Sequence, residues 1–433
     1  MVHAQDTDAP GIVGTFDVTQ RLEYSDNPGL DVDGDSDFFG RTLLGFNLTS
    51  VTGLDQLSLD LGTEVEEWRD DNDSSFDPTN SFASIGYDRE TGNARIGFEL
   101  RYRESDSDSD NFDDFDQNGN IINQDDGTRQ TYGFVLDGAV GLNAPIGASW
   151  GFAYDEITFS DTTDPDLTDQ SNTAFDGQLD FRIDPRITAS LTASYEDFDA
   201  QGNGVNRERT GLGVAVSMEV TPILTADVSL SYDSIDRSGD ETGTDDGLSV
   251  GASLLRALSN GTLGLNFASD VSSNDNGRRS FLSVSRDMEL PRGSLSAEIG
   301  VTGADTIGSD PLINLDYVHE LPTGQINLGL SQSVVTDNDN NEQLNTALRA
   351  GYDYQINNLS GLGATFTYFD RNELDEGVDG KRMEVGLTYR RDLTRDWGLV
   401  GGVSHTLSSE DDSEDRSRNT IYIGLQRSFN WVP

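Results

Sequence analysis

Leu224-Thr225-Ala226-Asp227-Val228-Ser229-Leu230-Ser231-Tyr232-Asp233 alternates apolar and polar residues without a break. A period of two puts all the apolar side chains on one face of a β-strand. Ile187 to Glu196 repeats the pattern, with Ile187, Ala189, Leu191, Ala193 and Tyr195 against Thr188, Ser190, Thr192, Ser194 and Glu196. Asn93 to Arg103 sets Ala94, Ile96, Phe98, Leu100 and Tyr102 against Arg95, Gly97, Glu99, Arg101 and Arg103. Gln56 to Glu66 sets Leu57, Leu59, Leu61 and Val65 against Ser58, Asp60, Gly62, Glu64 and Glu66. Such segments recur about 22 times, each about 10–14 residues long, with no convincing helical period between them.

The connections alternate as well. One set is short and built of turn residues: Thr52-Gly53-Leu54-Asp55, Thr91-Gly92, Asp184-Pro185-Arg186, Thr221-Pro222, Asn260-Gly261, Pro291-Arg292-Gly293 and Pro322-Thr323-Gly324. The other is long and acidic, as in Glu104 to Asp126, Asp161 to Asp169, Asp236 to Asp246, Asp337 to Glu342 and Glu410 to Asp415. Short turns at one rim and long loops at the other mark an outer-membrane barrel. A soluble β-sandwich would use strands of about five or six residues, too short for these segments. Tyr24, Trp68, Tyr87, Tyr102, Tyr195, Tyr232, Tyr368 and Tyr389 fall near segment ends. Aromatics there suit the two membrane interfaces.

Composition narrows the function. The chain has 433 residues, with 78 acidic against 28 basic, for a formal charge of −50. Phosphate backbones and anionic membrane surfaces need Lys and Arg, so nucleic acid is excluded as a partner. There is no Cys, which excludes disulfides, thiol catalysis and Cys-bound zinc. No run approaches the ~18 apolar residues of a transmembrane helix. Hydrophobic residues make up only 34% of the chain, as expected where every second strand residue faces lipid.

The chain opens Met1-Val2-His3-Ala4-Gln5-Asp6. Val2-His3-Ala4 reads as the small-residue end of a secretory signal. Residues 1–13 are therefore assigned to a signal remnant and a periplasmic N-terminal segment, and 14–433 to the barrel.

With this pattern the chain resembles Gram-negative outer-membrane β-barrels, in particular the porin-like ones that lack a plug. The resemblance rests on the alternation and on the last segment, Asn419-Thr420-Ile421-Tyr422-Ile423-Gly424-Leu425-Gln426-Arg427-Ser428-Phe429. That segment is similar to the family's C-terminal insertion signal, although it runs on to Trp431-Val432-Pro433. The resemblance implies an all-β fold: a single closed antiparallel barrel of about 22 strands, with short periplasmic turns and long extracellular loops. At about 22 strands, known transporters carry a plug. Only about 13 residues precede the first strand here, so the expectation is a lumen without a resident plug domain.

On the face opposite the apolar one, the alternation places Asp60, Glu64, Glu66, Arg95, Glu99, Arg101, Asp176, Asp180, Arg182, Asp227, Asp316, Arg349, Asp353, Glu384 and Arg390. Acids dominate, and rings of carboxylates favour cations. The expected function is an outer-membrane channel for passive diffusion of hydrophilic solutes, with a preference for cations. Two rival expectations are a surface interaction or adhesion protein anchored by the barrel, and a conduit for polysaccharide export. Expected partners are outer-membrane lipid and lipopolysaccharide, small hydrophilic solutes or cations, and periplasmic or surface proteins.

One loop carries a metal pattern. Asp114-Phe115-Asp116-Gln117-Asn118-Gly119-Asn120 leads to Asp125 at the twelfth position. This is the spacing of a Ca²⁺ loop, with Asp114, Asp116, Asn118 and Asp125 as side-chain ligands and Asn120 as a carbonyl donor. No enzyme pattern stands up. Gly147-Ala148-Ser149-Trp150-Gly151 matches a nucleophile motif, but it enters a strand where that motif needs a strand-to-helix elbow. His319 and His405 lie near opposite rims, too far apart to share a site, and Leu407 occupies the position where a lipid-facing hydrolase would carry Ser.

Overall fold

The structure is a computed structural model and describes residues 11–30, 32–69, 74–106, 127–162, 167–201, 204–239, 242–271, 277–305, 308–336, 342–374, 379–410 and 414–431. It is all-β. Twenty-two strands run in chain order: β1 Gly11–Ser25, β2 Asp37–Val51, β3 Asp55–Arg69, β4 Ser74–Glu90, β5 Ala94–Asp106, β6 Thr128–Val140, β7 Ile146–Ser160, β8 Gln170–Asp184, β9 Ile187–Ala200, β10 Val205–Thr221, β11 Leu224–Gly239, β12 Gly243–Leu258, β13 Gly261–Val271, β14 Arg278–Leu290, β15 Gly293–Ala304, β16 Ser309–Leu321, β17 Gly324–Thr336, β18 Glu342–Asn357, β19 Ser360–Glu373, β20 Gly380–Asp392, β21 Trp397–Glu410 and β22 Arg416–Trp431.

Each strand pairs antiparallel with the next, and β1 pairs with β22 from Gly14↔Trp431 to Ser25↔Thr420. That last ladder closes the sheet into a barrel. The strands are long enough for a tilted crossing, which takes about 9–11 residues. The first strand opens at Gly11, three residues ahead of the expected boundary; residues 1–10 lie outside the described residues. Ser149, from the nucleophile-like motif, sits within β7.

At one rim, two-residue turns join the strands: Pro185-Arg186, Pro222-Ile223, Pro291-Arg292 and Pro322-Thr323. Pro cannot donate to a ladder, which suits it to these corners. Gly261 and Gly293 follow their turns at φ 128° and 139°, a region closed to side chains with a Cβ. The opposite rim carries the longer connections.

The registers fix which way every side chain points. In β1 and β2 the even residues Ile12, Phe16, Leu22, Tyr24 and Phe38 are exposed apolar groups on the outer surface. The same face continues around the wall through Leu212 at 71%, Ile183 at 68% and Ile299 at 65% exposure. An apolar surface of that extent, on a closed wall, is the lipid-facing belt. The other face of each strand turns to the lumen.

Candidate functional site

All the residues assigned above to the face opposite the apolar one turn to the lumen when the registers are followed from strand to strand. They do not form one ring. The wall divides into an inner half beside the short turns and an outer half beside the long loops.

In the inner half the carboxylates are open and acidic residues dominate. Arg390 lies 3.6 Å from Asp353, with side chains 65% and 59% exposed. Arg95 lies 3.4 Å from Asp88 and 3.7 Å from Asp137. Other acids take hydroxyl or amide partners from the next strand. Ser253 donates to Asp227 at 3.0 Å, Ser190 to Asp180 at 2.6 Å, and Asn47 to Asp60. Arg182 donates to the Gly141 carbonyl at 2.8 Å. Asp176 pairs in register with Gly151 and Ser194, and Asp316 with Ser296 and Gly329. A cavity of about 560 Å³ at this rim is lined by Glu320, Gln325, Asp353, Arg390 and Asp392 among others.

Midway up, Arg101 reaches Glu99 at 3.7 Å and Asp155 at 3.2 Å. Arg349 and Glu384 flank Thr367 on neighbouring strands at a similar height.

The outer half is built differently. Arg41 contacts three carboxylates: Glu23 at 3.7 Å, Glu64 at 2.5 Å, and Glu66. The approach of its Nε to Glu64 is angled as an ion contact, and the hydrogen bond goes to Glu66. Glu23 is only 5% exposed. Arg21 lies 3.9 Å from Glu23 and stacks 4.8 Å over Tyr422. This group joins β1, β2, β3 and β22 across the closing ladder.

Three further groups continue the belt. Arg207 stacks 4.3 Å over Phe198, and Arg209 lies 4.0 Å from Asp233. Arg371 reaches Glu373 at 3.8 Å and Glu410 at 3.2 Å. Arg279 forms a two-pronged pair with Glu342. Between them, Phe39, Ile157, Phe198, Ile235 and Phe369 are buried on the lumen side. The sequence reading had sent apolar residues outward; at the outer end some turn in and pack under guanidinium groups.

Most of these arginines escaped the sequence reading. Arg41 sits between Phe38-Phe39 and Leu43-Leu44, where both phases of the alternation are apolar. Arg207, Arg279 and Arg371 lie near strand ends that acidic loops obscure. One expectation falls outside the described residues: Asp114, Asp116, Asn118, Asn120 and Asp125 all lie there. Among the described residues no group of His, Asp and Glu gathers as a metal site. His405 is on the lipid face, its Nδ1 2.8 Å from Asn419 Oδ1, and His319 stacks on Tyr317 at 5.9 Å.

No family model matches the chain, and no curated protein matches it. Solved structures do. The ferric enterobactin receptor of Pseudomonas aeruginosa aligns with 97% of this chain and 80% of its own, at 10% identity and a TM-score of 0.57. The siderophore receptor PirA of Acinetobacter baumannii aligns with 97% and 81%, at 9% identity and a TM-score of 0.57. The ferric-catecholate import receptor Fiu of E. coli K12, in an open form, aligns with 95% and 81%, at 10% identity and a TM-score of 0.58. The fold is that of a Gram-negative outer-membrane barrel, and the outer membrane is its place.

These neighbours correct the reading of the lumen. The three structures above are receptors for siderophores, not passive diffusion pores, so the cation-preferring diffusion channel is withdrawn. The adhesion and polymer-export readings gain nothing from them either. The plug-free, porin-like type gives way to the barrel of the siderophore receptors. Strand number already pointed there, since channels of 16–18 strands and plugged transporters of 22 are different classes. The physical reason for the error is that the exposed inner acids dominate the sequence pattern. The paired outer belt becomes visible only once the barrel closes.

Proposed function

We propose that this barrel imports a small ligand from outside the cell, of the ferric-siderophore class. The observation that carries the reading is the outer belt of arginines and aromatics, set in a wall that aligns over 97% of the chain with ferric enterobactin receptors. A ferric tris-catecholate is an anion that presents aromatic rings at its surface. In a chain of net charge −50 it needs cations gathered in one place. Arg21 and Arg209 keep 27% and 32% of their side chains open to the lumen. Each adjoins both a carboxylate and an aromatic or apolar wall, so a ligand can meet guanidinium and ring together.

The test is titration of the refolded barrel with ferric enterobactin, followed by uptake of radiolabelled iron into cells lacking their own catecholate receptors. Saturable binding, and uptake that saturates with ligand, is the expected result. Flux that rises linearly with ligand, without saturable binding, would overturn the reading.

A further inference from the structure

One ladder in the wall is incomplete. β16 and β17 pair only from Leu321↔Gly324 to Leu315↔Leu330, seven residue pairs. Both strands continue toward the outer rim. Residues 309–314 stay paired with β15, and residues 331–336 with β18. They are not paired with each other, and this is the shortest ladder among the described strands. Seven pairs fall short of the roughly 9–11 residues that a strand needs to cross the hydrocarbon. The gap therefore reaches down into the outer leaflet.

The sequence explains why the ladder stops. Glu320 donates its N–H to Arg292, on the β15 side, so odd residues of β16 point their backbone groups at β17. Pro311 is one of them and has no N–H to offer. The N–H of Gln332, which would bond β16, is instead taken by the Asn314 side chain at 3.1 Å. Unpaired backbone in hydrocarbon is costly, so the gap is held open at a cost.

The seam also breaks the two-faced pattern of the wall. On its lumen side stand Leu312 and Val335. On its lipid side stand Pro311, Ile313 and Val334, with Ile313 36% exposed. Apolar groups on both faces make a continuous greasy path through the wall. A strap spans the outer end of this path. Arg279 of β14 donates to Glu342 of β18, with Nε 3.2 Å from Oε1, and to Thr302 at 3.1 Å. Three strands and the seam lie between the two residues, and Glu342 is 2% exposed.

We propose that the outer half of the β16–β17 seam is a lateral portal between lumen and outer leaflet, admitting an acyl chain and held by the Arg279–Glu342 strap. The acyl chain belongs to outer-leaflet lipid at rest. This goes beyond the import reading and does not depend on it.

The chain has no Cys, so a single introduced one takes a fluorophore cleanly. The proteins Leu312→Cys, Val335→Cys and Ser229→Cys are each labelled with bimane and reconstituted in phosphatidylcholine brominated along its acyl chains. Ser229 also faces the lumen, but its strand is fully paired on both sides. Bromine quenches only on close approach. The expected result is loss of most emission at positions 312 and 335, with emission at 229 retained. Glu342→Gln, or Arg279→Lys should that variant not fold, is expected to deepen the loss at 312. Equal emission at all three positions overturns the portal, and an unchanged signal in the strap variants overturns the strap. No siderophore is involved, so neither outcome bears on the import reading.

Discussion

The two halves of the lumen wall use the same residue types for different ends. In the inner half, Asp353 and Arg390 are both more than half exposed and hold each other at 3.6 Å in water. In the outer half, Glu23 is 5% exposed and shares Arg41 with Glu64 and Glu66. Exposed pairs contribute about 0–1 kcal/mol, whereas breaking a buried pair costs about 3–5 kcal/mol, because a charge is stranded. The inner half is thus a solvated lining. The outer half is a structural belt, and it ties the closing ladder together.

The sharpest way to break this comparison is to delete one arginine from each half. Arg41→Ala leaves three carboxylates facing one another, with Arg21 beside Glu23. The expected loss is about 3–5 kcal/mol of unfolding free energy, read by urea titration in bilayers. Arg390→Ala should cost less than about 1 kcal/mol in the same assay. Equal losses would mean that burial does not separate the halves.

A smaller effect tests the geometry. Arg41→Lys keeps the charge but loses the planar fork that reaches Glu64 and Glu66 at once. Its cost should lie between those of the two deletions. Were it as stable as wild type, charge alone would suffice. Salt sharpens the contrast further. At about 1 M the screening length falls to roughly 3 Å. The Arg390→Ala difference should vanish there, and the Arg41→Ala difference should largely persist.

The sequence made one half far more legible than the other. Alternation such as Leu224 to Asp233, and turns such as Pro291-Arg292-Gly293, are local signals, and they sufficed for the strands and for the direction of the inner acids. The outer belt is assembled by contacts distant in the chain. Arg21 meets Tyr422 only because β1 pairs with β22, and Arg279 meets Glu342 across three intervening strands. No window of sequence contains such a pair. The seam was nearly as hidden. Residues 309–314 and 331–336 read as ordinary strand, and Pro311 was the one local hint that β16 has a free side. Function was misjudged for the same reason: visible acids suggested a pore, while the residues that suit an anionic ligand lay in the part that alternation does not order.

The outer rim offers the gentlest test, through Asp26 just beyond β1. Partial burial pushes its carboxyl up, but hydrogen bonds from Asn419 pull it further down, and the net shift is downward. The Asn419 backbone N–H reaches Oδ1 at 2.6 Å and its side-chain amide reaches Oδ2 at 2.6 Å. These bonds pin the start of the β1–β2 connection to β22, and Leu30 in that connection is fully buried. A carboxyl whose folded value is depressed stabilises the fold above its unfolded value, about 3.9, and loses that contribution as pH falls through the folded one. Protonation should therefore loosen this corner below about pH 4, with the barrel intact. Asp26 is half-buried at the rim, beyond the end of β1, so the effect should be local rather than global. Amide exchange at Asn419 should accelerate on acidification through that range. In Asp26→Asn it should already be faster at neutral pH and should not change further. Exchange that is independent of pH in wild type, once the intrinsic rate is allowed for, would show that the corner is held by Leu30 and Asn27 packing. The carboxylate would then be a bystander at the rim, as Asp353 is in the inner half.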